Sequence, residues 1–225
     1  MNKANILCLV ICANSYRENQ ETLVATIEKY KMSFTTGGLL RKETVTMASL
    51  FLASQNWMEI QKLALEENCL QMKALSSRKR IFMEIKFRLK CLSLPEMQIL
   101  CSGQLQDIDV LLWLALCRCY HFIGDFAKEI LHEKFISFQP RIDLADYNLF
   151  VEQKSVLHPE IPALTDATRA RLRQMLFLFM RNCRLIDRDN RILPAFFSPA
   201  VAELFKNAKQ AEIAFFPITP KRIEK

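Results

Sequence analysis

The scarcity of glycine constrains this chain more than any other feature of its sequence. Only 4 of its 225 residues are glycine, and two of them form the adjacent pair Gly37-Gly38. Turn-dense β-sandwiches, collagen-like repeats and glycine-rich phosphate loops need glycine at positions that other residues rarely occupy. These structures are therefore disfavoured. The many Leu, Met, Lys, Arg, Glu and Gln residues favour helices instead, so we predict a mainly α, multi-helical protein.

The positive charge of the chain is concentrated in two segments. The formal net charge is +7 at pH 7. Residues 31–92 carry 11 basic and 5 acidic side chains (net +6), whereas residues 93–164 carry 5 and 10 (net −5). Residues 165–225 carry 12 and 6, again net +6, and the first 30 residues are neutral. Chance clustering on solvated faces is one explanation; the other is two polyanion-binding lobes joined by an acidic middle.

Helical periodicity and chain breaks predict four regions. Residues 1–30 are an N-terminal extension, which is either disordered or upstream of the true start. Residues 31–94 form a helix-turn-helix-like lobe, 95–164 a helical middle that ends at His158-Pro159 and Ile161-Pro162, and 165–225 a winged-helix-like lobe. The opening run Ile6–Ala13 is a poor secretory signal, and no stretch approaches the roughly 20 apolar residues of a membrane span, so we expect a cytoplasmic protein.

The third predicted helix of the first lobe, about 76–92, carries a basic face. Ser76 and Ser77 are its candidate caps, and Ile81, Ile85, Leu89 and Leu92 are its predicted core side. Lys79, Lys86 and Lys90 lie on a separate face with no acidic residue four positions away. Arg80, Glu84 and Arg88 form a neighbouring ladder in which Glu84 can pair with either arginine. This face is either a phosphate-contacting surface or simply the solvated side of an amphipathic helix.

The last lobe presents a second basic pattern. Thr165-Asp166 is predicted to cap a long helix on which Arg169 and Arg173 are one turn apart. Two short apolar runs, Leu185-Ile186 and Ile192-Leu193, then flank an Asp-Asn turn and predict a small β-hairpin. Arg188 and Arg191 would lie at its tip, as in a wing that follows a phosphate backbone. The alternative is a structural hairpin with exposed charge.

Cysteines and histidines give little indication of a catalytic or metal site. The chain has 8 cysteines and no CxxC pair, and most lie in apolar helical patterns, so we expect reduced, buried thiols. Cys117, Cys119 and His121 are close in sequence but lack a second ligand pair for zinc. We expect no enzyme activity, no cofactor and no metal.

The order of several segments resembles the BrxA family of BREX bacteriophage-defence systems. The segments are FTTGGLL (34–40), the helix around Trp57, SSRKRIFMEIKFRLKCL (76–92), LALCRCYHFIGDFAKEILHEKF (114–135), TRARLRQMLFLFMRNCRLID (168–187) and ILPAFFSP (192–199). The resemblance implies an all-helical fold with winged-helix-like or NusB-like character and binding to double-stranded DNA. A "putative inner membrane protein" label also used for the family disagrees with the segment lengths here. Residues 1–30 precede the resemblance.

Together these observations predict a non-enzymatic protein that binds duplex DNA through phosphates, with weak sequence preference, beside other BREX proteins. The predicted contacts are Lys79, Arg80, Lys86, Lys90, Arg169, Arg173, Arg188 and Arg191, with Thr35 and Thr36 as additional hydroxyl or backbone contacts. Two alternatives remain: an adaptor that docks on acidic surfaces of BREX proteins, and RNA binding in the manner of NusB.

Overall fold

The computed structural model describes residues 28–207 and 210–219. The described residues fold into helices, which confirms the prediction of a mainly α protein. The helices are α1 (Arg41–Ser54), α2 (Trp57–Leu65), α3 (Leu75–Leu89), α4 (Leu94–Ser102), α5 (Leu105–Cys119), α6 (His121–Ile136), α7 (Leu144–Ser155), α8 (Asp166–Asn182) and α9 (Pro199–Asn207), followed by a 3-10 helix (Gln210–Phe215). Helix α6 contains a π-helical segment, Ala127–His132.

Helix α5 lies at the centre of the molecule. It is apolar on all sides from Val110 to Cys117, and these residues are buried. An amphipathic surface helix has one apolar stripe, whereas a helix that is apolar all round must be covered by neighbours. Helices α1, α3, α4, α6 and α8 and the 3-10 helix all contact it. The indole N–H of Trp113 donates to the carbonyl of Phe215 (2.8 Å), which fixes the C-terminal segment to α5.

Local capping explains where several helices begin. Asn56 accepts from the Met58 N–H (3.0 Å) at the start of α2. Thr165 accepts from the Thr168 N–H (3.2 Å) at the start of α8, as predicted. Ser93 and Glu96 form a reciprocal capping box at the start of α4. The prediction that Ser76 and Ser77 cap α3 is wrong, because α3 begins at Leu75 and its N-cap residue, Ala74, has no capping side chain.

A charged network joins α4, α5 and the 3-10 helix. Arg118 donates to both carboxylate oxygens of Glu96 (2.8 Å each) and to both of Glu212 (2.9 and 2.8 Å). Burial alone would raise the pKa of Glu96, but the hydrogen bonds from Arg118 and Ser93 outweigh burial and hold its pKa below the usual value. The carboxylate form of Glu96 therefore stabilises this packing.

The predicted β-hairpin near the C-terminal end is wrong. Within residues 28–207 and 210–219 no strand forms, and the segment makes only isolated bridges, Ile186 with Ile192 and Arg141 with Arg191. Across the turn the Asp187 N–H donates to the Arg191 carbonyl and the Leu193 N–H to the Leu185 carbonyl (2.9 Å each), but the ladder extends no further, because the Leu185 N–H donates to Met180 and the Ala195 N–H to Pro217 (2.9 Å each). The Ile192 N–H faces the other way and donates to the carbonyl of Pro140 (2.8 Å). The pairing is thus divided between two partners, and the wing required by a winged-helix-like lobe is absent.

The cysteine expectation is also partly wrong. Cys91, just after α3, and Cys119, the last residue of α5, form a disulfide. Helical periodicity describes one helix at a time, so it did not show that the ends of α3 and α5 meet. Cys117 and Cys183 are buried free thiols, and burial raises the pKa of both.

The predicted secretory-type run Ile6–Ala13 lies outside the described residues.

The segment that leads into α1 is attached to the helical middle at Tyr30. Its ring is buried and stacks on His158 (3.6 Å between centroids), and its hydroxyl donates to Asp125 (2.5 Å). Residues 1–27 of the predicted extension lie outside the described part of the chain.

Among the described helices, no single one is long and apolar enough to cross a membrane. The pair α5 and α6, bent by 115°, meets the length and composition criteria only when the two helices are taken together.

Candidate nucleic-acid interface

The first candidate surface is the outer side of α3, whose inner side is fixed in the core. Ile81, Ile85 and Leu89 are buried, as predicted, and Phe82 is buried beside them. Helices α1, α2 and α3 contact one another, and α3 also contacts α5. The rotation of α3 about its axis is therefore set by its apolar side, and its opposite side faces solvent.

One predicted member of the ladder on α3 belongs to the interior. Arg88 is only 1% exposed. It donates to the Glu84 carboxylate (2.7 Å), which also accepts from the Tyr120 hydroxyl (2.6 Å). Burial, together with the hydrogen bond to Glu84, raises the pKa of Tyr120. The expectation that part of the charge on this helix is paired internally is confirmed for Glu84 and Arg88.

Arg88 also holds the Thr-Thr-Gly-Gly turn against α3. Its guanidinium donates to the carbonyls of Gly38 (3.0 Å) and Thr36 (3.4 Å). Gly37 has a φ of +67°, and a Cβ there would lie 3.1 Å from the Ile81 side chain, so the turn favours glycine. Thr35 and Thr36 are half-buried beside the helix. The structure therefore brings these threonines close to α3, a proximity that residue spacing alone does not predict.

The exposed side of α3 carries four of the predicted contact residues. Lys79, Arg80 and Lys90 are exposed and form no hydrogen bond or ion pair with any residue that the structure describes. The ammonium group of Lys86 lies over the Trp57 ring (5.4 Å from its centroid), also without a carboxylate partner in the described chain. We call these four residues, with Met83 between them, the α3 face. None of its four cations forms an ion pair with a described acidic side chain.

Sequence reasoning missed one cation beside the α3 face. Lys31 places its ammonium group 3.2 Å from the centroid of the Phe87 ring, on α3, and 5.8 Å from that of Tyr120. Lys31 is 56 positions from Phe87 in sequence and lies in the non-helical segment before α1. Periodicity carries no information about such a contact. The apolar Phe87 between charged neighbours on α3 was the only local indication of a cation–π partner.

A second group of predicted contacts, Arg169 and Arg173, lies on α8. Arg169 and Arg173 line an open cleft of about 440 Å³ between α7 and α8, together with Tyr147 and Ser155. Arg169 is partly engaged, since it donates to the carbonyl of Pro162 (2.7 Å) and lies 3.8 Å from Asp166. Its Nε atom is buried without a hydrogen-bond partner among the described residues. Arg173 is half-buried and makes no hydrogen bond or ion pair with the described chain.

A third group of predicted contacts, Arg188 and Arg191, lies on a turn and not on a hairpin. The Asp187 carboxylate accepts from the N–H groups of Asp189 and Arg191 (2.8 Å each), which closes the turn. The side chains of Arg188 and Arg191 are exposed. Both arginines are therefore exposed to solvent. They lie on a turn that the Asp187 side chain closes.

Comparison with known proteins identifies the family. The BrxA family model matches residues 28–209, which is most of the chain. The chain belongs to the BrxA family. A BREX protein BrxA from Escherichia coli O9:H4 (strain HS) is 23% identical over 155 residues, covering 69% of this chain and 73% of the relative. One from Bacillus cereus (strain H3081.97) is 23% identical over 146 residues, covering 65% and 73%.

A solved structure shares the fold of this chain. The crystal structure of an uncharacterized protein from Magnetospirillum magneticum superposes with a TM-score of 0.74 at 22% identity, covering 84% of this chain and 100% of the other. At that identity the likeness concerns the fold alone. All predicted contact residues, and Lys31, lie within the segment that the BrxA model matches.

Proposed function

We propose that this BrxA-family protein is a non-enzymatic component of a BREX phage-defence system and binds double-stranded DNA. The assignment to BREX is supported by the two relatives, both named BREX protein BrxA. Other BREX proteins are the expected protein partners. The chain acts by occupying DNA and presenting it to them, without chemistry of its own.

The observation that carries the DNA proposal is the unneutralised α3 face. Lysines and arginines that already hold carboxylates lose one interaction when they gain a phosphate, whereas Lys79, Arg80 and Lys90 have no described partner to lose. Lys86 lies over an aromatic ring and has no described carboxylate partner. An α-helix is about 10–12 Å wide and the major groove of B-DNA about 12 Å. Helix α3 is thus suited to lie along or within that groove.

The arginines of α8 and of the 187–191 turn extend the proposed contacts. Arg173, Arg188 and Arg191 reach solvent from the C-terminal basic segment. Arg169 is partly held by Pro162 and Asp166, so we assign it the smallest share of phosphate binding. Because phosphate contacts position a protein without reading bases, this set gives affinity with weak sequence preference.

A gel-shift comparison tests the proposal. Duplex DNA, duplex RNA and single-stranded DNA of one sequence are titrated with the full chain at low and at moderate salt. We expect the tightest binding to duplex DNA, with a strong loss of affinity as salt rises. Binding to RNA alone would replace the proposal with RNA recognition in the NusB manner. Binding to none of the three would favour the adaptor role, in which the same cations dock on acidic surfaces of BREX proteins.

A variant of the α3 face tests whether its lysines bind duplex DNA. Charge reversal at Lys79, Lys86 and Lys90 is expected to abolish most duplex binding while the far-UV circular dichroism spectrum stays helical. Unchanged affinity would reject the assignment of the α3 face.

A further inference from the structure

The centre of the α3 face is apolar. Met83 is 59% exposed, although it lies on the most strongly charged side of the helix. On an α-helix the surface neighbours of a residue are three and four positions away. For Met83 these are Lys79, Arg80, Lys86 and Phe87, so three of its four neighbours carry positive charge.

The fourth neighbour also carries a cation, since Lys31 lies over the Phe87 ring at 3.2 Å from its centroid. Met83 is therefore a flexible, exposed apolar side chain whose neighbours on the helix surface carry or hold cations. If the role of this face were solubility alone, its centre would not need to be apolar. The arrangement matches a surface whose rim contacts phosphates and whose centre contacts something uncharged.

We propose that Met83 contacts the C5-methyl group of thymine in the major groove when the α3 face binds duplex DNA. The inference rests on the proposed function and adds the base group that the face recognises. With the flanking cations at the two sugar-phosphate walls, the middle of the helix faces the base edges. Thymine is the only standard DNA base that presents a methyl group there.

The chemistry of methionine fits a weak preference of this kind. Its unbranched thioether has three rotatable bonds and adapts to apolar surfaces of different shape. It forms no directional hydrogen bond, so it favours A·T-containing steps without fixing a sequence. Duplex RNA offers neither feature, since uracil lacks the methyl group and the A-form major groove is too narrow for a helix.

Replacement of thymine by deoxyuridine tests the inference. This change removes only the methyl group and keeps the charge and the base pairing. The full chain is titrated against one mixed-sequence duplex in its thymine and deoxyuridine forms, at one fixed salt concentration. Burial of one methyl group corresponds to about a fourfold change in affinity, so we expect the thymine duplex to bind about fourfold more tightly per contacted thymine.

Substitutions of Met83 test whether its side chain causes the difference in affinity between the two duplexes. Met83→Ala is expected to bring the affinity ratio of the two duplexes to about one, whereas Met83→Leu retains most of it. Leu149→Ala removes an apolar side chain of similar exposure (56%) on α7 and should keep the wild-type ratio. Because the DNA stiffness term is the same in the wild-type and variant ratios, it cancels when the two ratios are compared, as in a double-mutant cycle. Placing 5-methylcytosine in the same duplex should raise the affinity of the wild-type chain but not of Met83→Ala.

The outcomes separate this inference from the proposed function. Equal wild-type affinity for the thymine and deoxyuridine duplexes, with strong salt dependence, would overturn the role of Met83 and leave duplex binding in place. An unchanged ratio in Met83→Ala would also overturn it. Failure of the wild-type chain to bind either duplex would reject the proposed function and the inference together.

Discussion

Replacing Arg88 by methionine is expected to destabilise the protein strongly. Arg88 is buried, and its guanidinium pairs with Glu84 and donates to the carbonyls of Gly38 and Thr36. Methionine fills similar space but supplies no charge and no donor. The Glu84 carboxylate would remain buried with the Tyr120 hydroxyl as its only described hydrogen-bond partner.

The expected loss of unfolding free energy follows from the buried Glu84 carboxylate that remains without its cationic partner. Removing one partner of such a pair typically costs about 3–5 kcal/mol, and a domain of ordinary stability has only about 5–15 kcal/mol in total. The double variant Glu84→Gln/Arg88→Met removes both charges and keeps an acceptor for Tyr120. Its loss should fall to roughly 1–2 kcal/mol, set by the carbonyls of the turn that lose their donor.

Equilibrium urea unfolding, followed by circular dichroism and tryptophan fluorescence, measures these changes. Arg80→Met is the matched control, because Arg80 is an exposed arginine on the same helix without a described partner; its effect should stay within about 0.5 kcal/mol. A loss below about 1 kcal/mol for Arg88→Met, or a double variant less stable than the single one, would refute the reasoning about the buried pair.

Three further changes test other parts of the structure. Thr165→Ala removes the cap of α8 and should cost about 1 kcal/mol in urea unfolding; no loss would show that the cap is dispensable. The folded-state pKa of Glu96 is lowered, so its contribution is present above its ordinary pKa and is lost as pH falls through the folded value. The stability difference between wild type and Glu96→Gln should therefore shrink in acid, and a constant difference would contradict the pKa direction. Charge reversal at Arg188 and Arg191 should weaken duplex DNA binding without changing helicity, and unchanged binding would remove this turn from the interface.

Residue spacing was sufficient to predict the α3 face. The helical repeat separates the buried side, Ile81, Ile85 and Leu89, from the side that carries the lysines. This property belongs to one helix alone. The caps Asn56 and Thr165 were predictable for the same reason, since each accepts a hydrogen bond from a residue two or three positions away.

Features that depend on distant segments were not predictable. The hairpin prediction failed because the Leu185 N–H donates to Met180 and the Ala195 N–H to Pro217, which no pattern within 185–193 reveals. The disulfide joins residues 28 positions apart at the ends of two helices, and Lys31 reaches α3 from the segment before α1. Periodicity reports which side of a helix is buried, but it does not report which element covers it.

The salt dependence of duplex binding tests the central claim most directly. Each phosphate contact contributes about −0.9 to the slope of log K against log salt. Removing the charges of Lys79, Lys86 and Lys90 with glutamine should make the slope shallower by about 2.7, which corresponds to about a 40-fold difference over a fourfold range of salt. Lys206→Gln, on α9 and paired with Glu203, should leave the slope unchanged. If the triple variant instead retains the wild-type slope and affinity, the α3 face does not bind DNA.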